Sequence, residues 1–324
     1  METRTLDSSP GILPLYAKAA APMIPGASLL PFLPGGGGDV PELELVLEGV
    51  RAEPDAVAAY DRVCGFTLRD QLPPTYPHML AFPLHMAVMS DGSFPFGAVG
   101  LVHVENSITQ KRPIGIDEEM TIRVSPTQLQ PHPKGRTFSL LTEVFVDGEV
   151  VWESISTMLR RGKSNGDAGK QEKSFESLPA ETPAGAEWKL DGGLGRRYGG
   201  VSGDRNPIHM HSLTAKPLGF PGAIAHGMWT KARALAQLEN RLPDAFEVEV
   251  RFRKPILLPA RVEFASQEEG EEILFSVRNA RKGTPHLDGR VQSLSRATKS
   301  KSGSKPKAAK SSSKTAKTGR KKTK

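Results

Sequence analysis

Two separated stretches of this chain carry the same landmarks in the same order, and that order restricts the fold more than any other feature. YPHMLAFPLHM opens on Tyr76-Pro77, and FPGAIAHGMWT opens on Phe220-Pro221. Downstream, KRPIGIDEEMTI and RKPILLPARVEF place Pro113 and Pro255 at 36 and 34 residues from those pairs. An apolar helical run follows each pair. In the first half it is HMLAFPLHMAVM; in the second it starts at about Gly222, with Ile224, Met228, Ala232, Leu235 and Leu238 at helical spacing. Strand-like alternation comes next. FSLLTEVFVDGEVVWESISTML alternates on both sides of an Asp-Gly turn, a strong hairpin signal, and MTIRVS precedes it. FEVEVRFRKPILLPARVEFAS and EILFSVRNA do the same in the second half. The pattern predicts an α+β protein built from one unit used twice, a helix wrapped by antiparallel strands.

Three stretches lack any such pattern. Residues 1–38, rich in Pro and Gly and ending near PGGGGDV, predict an irregular arm. Residues 164–186, SNGDAGKQEKSFESLPAETPAGA, predict a linker between bodies at 39–163 and 187–295. Residues 296–324 carry ten Lys and two Arg with no acid, too polar to bury a core, and predict a disordered Lys-rich tail. The net charge of +7 is therefore a tail of +12 on a body of −5. Such a tail would attract polyanions (nucleic acid, anionic membrane or an acidic protein) in a salt-dependent way. Without aromatic residues it has no platform for reading bases. The single cysteine, Cys64, rules out an intramolecular disulfide and fits a reducing compartment. The start of the chain has no secretory pattern, and four prolines break AAAPMIPGASLLPFLPGGGG, its nearest approach to a membrane span. A cytoplasmic protein is the expectation.

The stretch VSGDRNPIHM concentrates candidate chemistry. Asn206-Pro207 is a good helix start, because Asn accepts from first-turn N–H groups and Pro needs no acceptor there. Gly203-Asp204 turns into it and His209 sits in its first turn, so the Asp and His side chains converge. A turn with a capping role is the plainer reading of those two residues taken alone. Further on, IAHGMW puts Gly227 in the early turns of the apolar helix, where backbone N–H groups favour an anion. A base, an acid and an anion-stabilising amide suit chemistry beside a thioester carbonyl.

YGGVSGDRNPIHMHSLTAKPLGFPGAIAHGMWTKA, Tyr198 to Ala232, resembles the hydratase-2 signature of MaoC-like (R)-specific enoyl-thioester hydratases and 3-hydroxyacyl-thioester dehydratases: SGDxNPIH, a spacer, then AKxxGFxxxIAHGM. The resemblance implies a double hotdog, two antiparallel sheets each wrapped around a central helix, with the active motif in the C-terminal half only. It implies catalytic roles for Asp204, Asn206, His209 and the oxyanion-hole glycine Gly227. The reaction implied is reversible syn addition of water to a trans-2-enoyl thioester of CoA or acyl carrier protein, giving an (R)-3-hydroxyacyl thioester. No metal or other cofactor is implied, and a homodimer is one assembly it allows.

Ser202 and Tyr198 belong to the motif, as supports before substrate contacts. Arg112 and Lys254, equivalent in the repeat, are candidates for CoA phosphates, against a reading as solvated strand edges. His211 and His226 read as local hydrogen-bond partners, and His103 with Glu105 as a strand face between the halves. Superposing Pro77 on Pro221 sets Phe82 against His226, Pro83 against Gly227, Tyr60 against Asp204 and Gly65 against His209. Proline has no N–H to offer an oxyanion, so the N-terminal half is expected to be catalytically silent and to widen the acyl tunnel. A hotdog acyl-CoA thioesterase is the competing enzyme, and an acyl-CoA-responsive nucleic-acid-binding protein using the basic tail is the non-enzymatic alternative.

Overall fold

The computed structural model describes residues 1–20, 38–98, 100–162 and 174–294. The N-terminal half runs β2 (Leu43–Val50), α2 (Pro54–Cys64), α3 (Tyr76–Met89), β3 (Leu101–Gln110), β4 (Met120–Pro126), β5 (Gln130–His132), β6 (Gly135–Val146) and β7 (Glu149–Arg161), preceded by β1 (Glu2–Leu6) and α1 (Ile12–Ala20). The C-terminal half runs β8 (Ala186–Leu190), α4 (Leu194–Ser202), α5 (Pro207–Met210), α6 (Ser212–Ala215), α7 (Gly227–Leu238), β9 (Phe246–Phe252), β10 (Ala260–Glu269), β11 (Glu272–Asn279) and β12 (Pro285–Ser293).

Strand order is β2-β4-β6-β7-β3 in the first half and β9-β12-β11-β10-β8 in the second, the same sequence of equivalents read in opposite directions. This is the double hotdog, and its two sheets are not separate. β3 and β9 pair antiparallel, which joins them into one twelve-stranded sheet among the described residues. The seam is symmetric about the repeat. Aligning Pro113 with Pro255 carries the pair Glu105–Arg251 onto Thr109–Glu247 and leaves Ser107 opposite its own equivalent, Glu249. Joining the two β3-type edges also pairs backbone groups that would otherwise be exposed edges.

Local chemistry accounts for the elements. Asp147 and Gly148 both take positive φ (50° and 81°), the turn that an Asp-Gly hairpin requires, and β6 and β7 pair from Val146–Glu149 onward. Alternate residues of β6 are buried under α3, Phe138, Leu140 and Val144 among them. On α7, Met228, Ala232, Leu235 and Leu238 face the core as their spacing predicts. Lys231 on the same helix is fully buried at the seam, and its ammonium donates to Asn106 O (3.2 Å), Asn106 Oδ1 (2.5 Å) and Val248 O (3.1 Å). Asn106 in turn donates to Ser154 Oγ and Ser156 Oγ, so one lysine ties the helix to β9, β3 and β7.

Three expectations need correction. Residues 1–20 are not irregular: β1 pairs in parallel with β2 over five residues, Glu2–Leu43 to Leu6–Leu47, and α1 packs on α3. The second apolar helix starts at Gly227 and not Gly222, because residues 223–225 are extended, with Ala225 N–H donating to Ile256 O and Leu258 N–H to Ala223 O. The second part of the linker is packed, with Phe175 buried against the Arg251 guanidinium, 4.0 Å from the ring centre. The rest of the linker lies outside the described residues, as does the whole tail. Among the described residues no helix is long and apolar enough to cross a membrane.

Candidate active site

Gly203, in the left-handed region at φ 75°, ends α4 and turns the chain sharply into Asp204. Two residues on, the Asn206 side chain accepts from Ile208 N–H (3.3 Å) and starts the short helix α5, as its position before proline predicts. His209 lies in α5, buried, with Nδ1 2.8 Å from Ile224 O. A carbonyl only accepts, so Nδ1 carries the proton and Nε2 holds a lone pair. The extended residues 223–225 that shorten α7 thus also supply the carbonyl that fixes this tautomer.

Asp204 keeps 28 % of its side-chain surface accessible and lines the cavity. Burial pushes its carboxyl up, but the His226 and His209 imidazoles, the Asn206 N–H and the Tyr16 hydroxyl outweigh it. They hold the group below the ordinary aspartate value, ionised at neutral pH. Burial pulls His209 down, against the opposing pull of Asp204 and the Ile224 carbonyl, so that its ring is neutral at pH 7. A charged carboxylate therefore sits beside a neutral imidazole with an available lone pair, an arrangement able to take a proton and return one.

Gly227 is the first residue of α7, and the first four N–H groups of a helix have no acceptor within it. It lines the same cavity as Asp204 and His209. A Cβ on Gly227 would stand 3.0 Å from Phe252 Cε1, so glycine lets the helix start approach that ring. The cavity encloses about 410 Å³. Its wall continues into the N-terminal half through Met79, Met86, Met89, Leu101 and Met158, and Lys254 stands on its rim.

The sequence-predicted residues separate cleanly. Asp204, Asn206, His209, Gly227, Tyr198 and Lys254 all line the cavity. Ser202 stands behind it and accepts from Asp204 N–H (3.2 Å). Arg112 is not among the residues that line it, and its guanidinium is paired with Glu118 (2.7 Å) beyond the end of β3. His211 caps α6 by accepting from Leu213 N–H. His103 and Glu105 both line the cavity, on a strand with a register shift between them.

The helix caps also correct the repeat alignment. Gly65 ends α2 in the left-handed region as Gly203 ends α4, and each follows a buried tyrosine by five residues, Tyr60 and Tyr198, whose rings meet at 6.1 Å. Asp204 therefore has the buried Phe66 as its equivalent, and Tyr60 matches Tyr198. Pro83 lies inside α3, so at that position the first half has neither a helix start nor an N–H.

Two residues carry more than the sequence suggested. His226 donates Nε2–H to the Asp204 carbonyl (2.9 Å) and stacks on His209 with ring centres 3.7 Å apart, and burial and then His209 drive it down to about 3. Its position directly before Gly227 was the available signal. Tyr16, on α1, donates its hydroxyl to Asp204 Oδ1 at 2.9 Å, and no local pattern announced it. Asp204, His209 and His226 also bring one ligand atom each within 4.8 Å of the others.

Residues 177–289 match the family described as MaoC like domain. The 3-hydroxyacyl-thioester dehydratase X of Mycobacterium tuberculosis is 38% identical to this chain over 268 residues, 83% of this chain and 95% of that protein. A crystal structure of HtdX from the same organism superposes with a TM-score of 0.69 at 37% identity, covering 78% of this chain and 100% of that one. The MaoC-like dehydratase of Phytophthora capsici shares the fold at a TM-score of 0.66 and 19% identity, covering 78% of this chain and 96% of its own.

Proposed function

The chain belongs to the MaoC-like dehydratase family, and from that premise we propose that it catalyses the reversible hydration of trans-2-enoyl thioesters to (R)-3-hydroxyacyl thioesters, as a hydro-lyase of fatty-acid metabolism. One observation carries the reading: an ionised Asp204 and a neutral His209 with Nε2 unprotonated share a cavity with the first N–H of a helix.

In the hydration direction, Asp204 and His209 hold one water. The water oxygen adds to C3, its proton passes to the pair, and a proton is delivered to C2 on the same face. The thioester oxygen gains negative charge as C3 is attacked, and Gly227 N–H, at the positive end of α7, stabilises it. Dehydration runs through the same atoms in reverse. Asn206 orders the loop by capping α5 and by donating its N–H to Asp204 Oδ1 (3.1 Å). The N-terminal half supplies walls in place of chemistry. Its methionines, flexible and polarizable, suit an acyl chain that varies in length.

The test is hydration of trans-2-enoyl-CoA substrates of several chain lengths, followed by loss of the enoyl absorbance. Asp204→Asn and His209→Gln should each lower kcat by roughly 100- to 10,000-fold while remaining folded. Wild-type protein as inactive as both variants at every chain length would overturn the proposal.

A further inference from the structure

Asp204 lies in the C-terminal half, yet one of its hydrogen bonds comes from residue 16. Tyr16 Oη donates to Asp204 Oδ1 at 2.9 Å and accepts from Arg205 N–H at 2.8 Å. Asn206 N–H donates to the same Oδ1 at 3.1 Å. Two donors on one oxygen fix the carboxylate plane. Oδ2 is left with His226 Nε2 at 3.8 Å, beyond hydrogen-bond range. The chain of donors from Arg205 N–H through the phenol to Oδ1 is also mutually polarising, which strengthens each bond.

This contact is built into the fold. β1 anchors the segment to β2 by five parallel pairs, and Arg4 reaches Asp91 at 3.1 Å. On α1, Ala19 is buried, while Ile12 and Leu15 pack on the core. Ile12 also lies beside Gly203, the glycine that turns the chain into Asp204. The segment thus grips the catalytic loop at two points, and Tyr16 lines the cavity itself.

We propose that Tyr16 is a positioning residue for the hydratase reaction, which occupies Asp204 Oδ1 and reserves Oδ2 for the reacting water, so that the active site of the C-terminal half is completed by the first helix of the chain. The proposal rests on the hydratase reading above. Burial and then the charge of Asp204 raise the Tyr16 phenol well above the usual tyrosine range, so it stays protonated as a donor and does not itself act as a base.

Tyr16→Phe keeps the ring and deletes the donor. Its kcat on trans-2-enoyl-CoA should fall about tenfold to a hundredfold, the range for losing a hydrogen bond to a charged group, with KM within about twofold. The acid limb of its kcat/KM profile should move to higher pH, because a carboxylate that loses a donor is protonated more easily. Leu13→Ala, on the exposed face of the same helix, should change neither. Active wild-type protein with an unmoved profile in Tyr16→Phe overturns the positioning role, whatever happens to its melting temperature. Equal damage in both variants would make the helix merely structural and would overturn it too. Inactive wild-type protein would instead remove the hydratase reading.

Discussion

Gly227→Ala and Gly227→Pro together isolate the contribution of one N–H group. Either substitution adds a Cβ that would stand 3.0 Å from Phe252 Cε1 and 3.2 Å from Cδ1 and Cζ. The ring must yield by a few tenths of an ångström, and it is half-buried against His103, with ring centres 4.9 Å apart. Overpacking of this kind costs about 1–3 kcal/mol, and a ring with one free side falls at the lower end. Both variants should therefore melt a few degrees lower, roughly 2–4 °C for each kcal/mol in a chain of this size. The backbone accepts proline. Gly227 has no positive φ, its N–H is not used by the helix it starts, and His226 already has the extended conformation (φ −66°, ψ 139°) that proline imposes on its predecessor. The variants thus differ in the N–H and in the proline Cδ that takes its place. Losing an oxyanion donor costs about 3–4 kcal/mol of transition-state stabilisation, so kcat of the proline variant should be about 100- to 1,000-fold below that of the alanine variant. Steady-state hydration kinetics beside thermal unfolding decide it. Equal kcat in two variants of equal stability would show that Gly227 N–H does not hold the developing charge.

Two further outcomes concern stability. Burial drives His85 and His226 down to about 3 and His103 to about 4, against an ordinary 6.5 in the unfolded chain. Below that value the unfolded chain binds protons that the folded chain refuses. Stability should therefore fall as pH drops from about 6.5 toward 4, by at most ~1.4 kcal/mol per pH unit for each histidine. The midpoint in urea should be clearly lower at pH 5 than at pH 7, and equal midpoints would refute buried neutral rings. Lys231→Met keeps the apolar stem but leaves Asn106 O, Asn106 Oδ1 and Val248 O without their donor. A loss of about 1–3 kcal/mol is expected, and an unchanged melting temperature would show that this lysine does not secure the seam.

What the sequence revealed of the fold is what local periodicity records. An Asp-Gly pair between alternating runs determines a hairpin from a few residues, and β6 and β7 form as expected. The repeat was legible for the same reason, since its landmarks are prolines and helix faces. It also agrees with the seam, where Ser107 of β3 faces its own equivalent, Glu249 of β9. The motif residues were singled out through their resemblance to the hydratase-2 signature, and Asp204, Asn206, His209 and Gly227 do line one cavity.

The errors share a physical cause, competition from partners distant in sequence. Ile224 has helical spacing with Met228, yet the backbone of residues 223–225 finds better partners at 256–258 and the helix starts later. That loss of helix has a chemical result, because the freed Ile224 carbonyl sets the His209 tautomer. Sequence alignment also set Gly65 against His209, since spacing alone cannot show that a left-handed glycine ending a helix should match another. Tyr16 is the extreme case. Nothing near it in sequence distinguishes it from any half-buried tyrosine, and its partner is 188 residues away. The parallel pairing of β1 with β2 and the packing of α1 bring it there, and a five-residue strand reading ETRTL has no apolar alternation by which to be recognised. In this hotdog pair the motif residues lie close together along one half, while the hydroxyl that meets Asp204 Oδ1 comes from a segment 188 residues away.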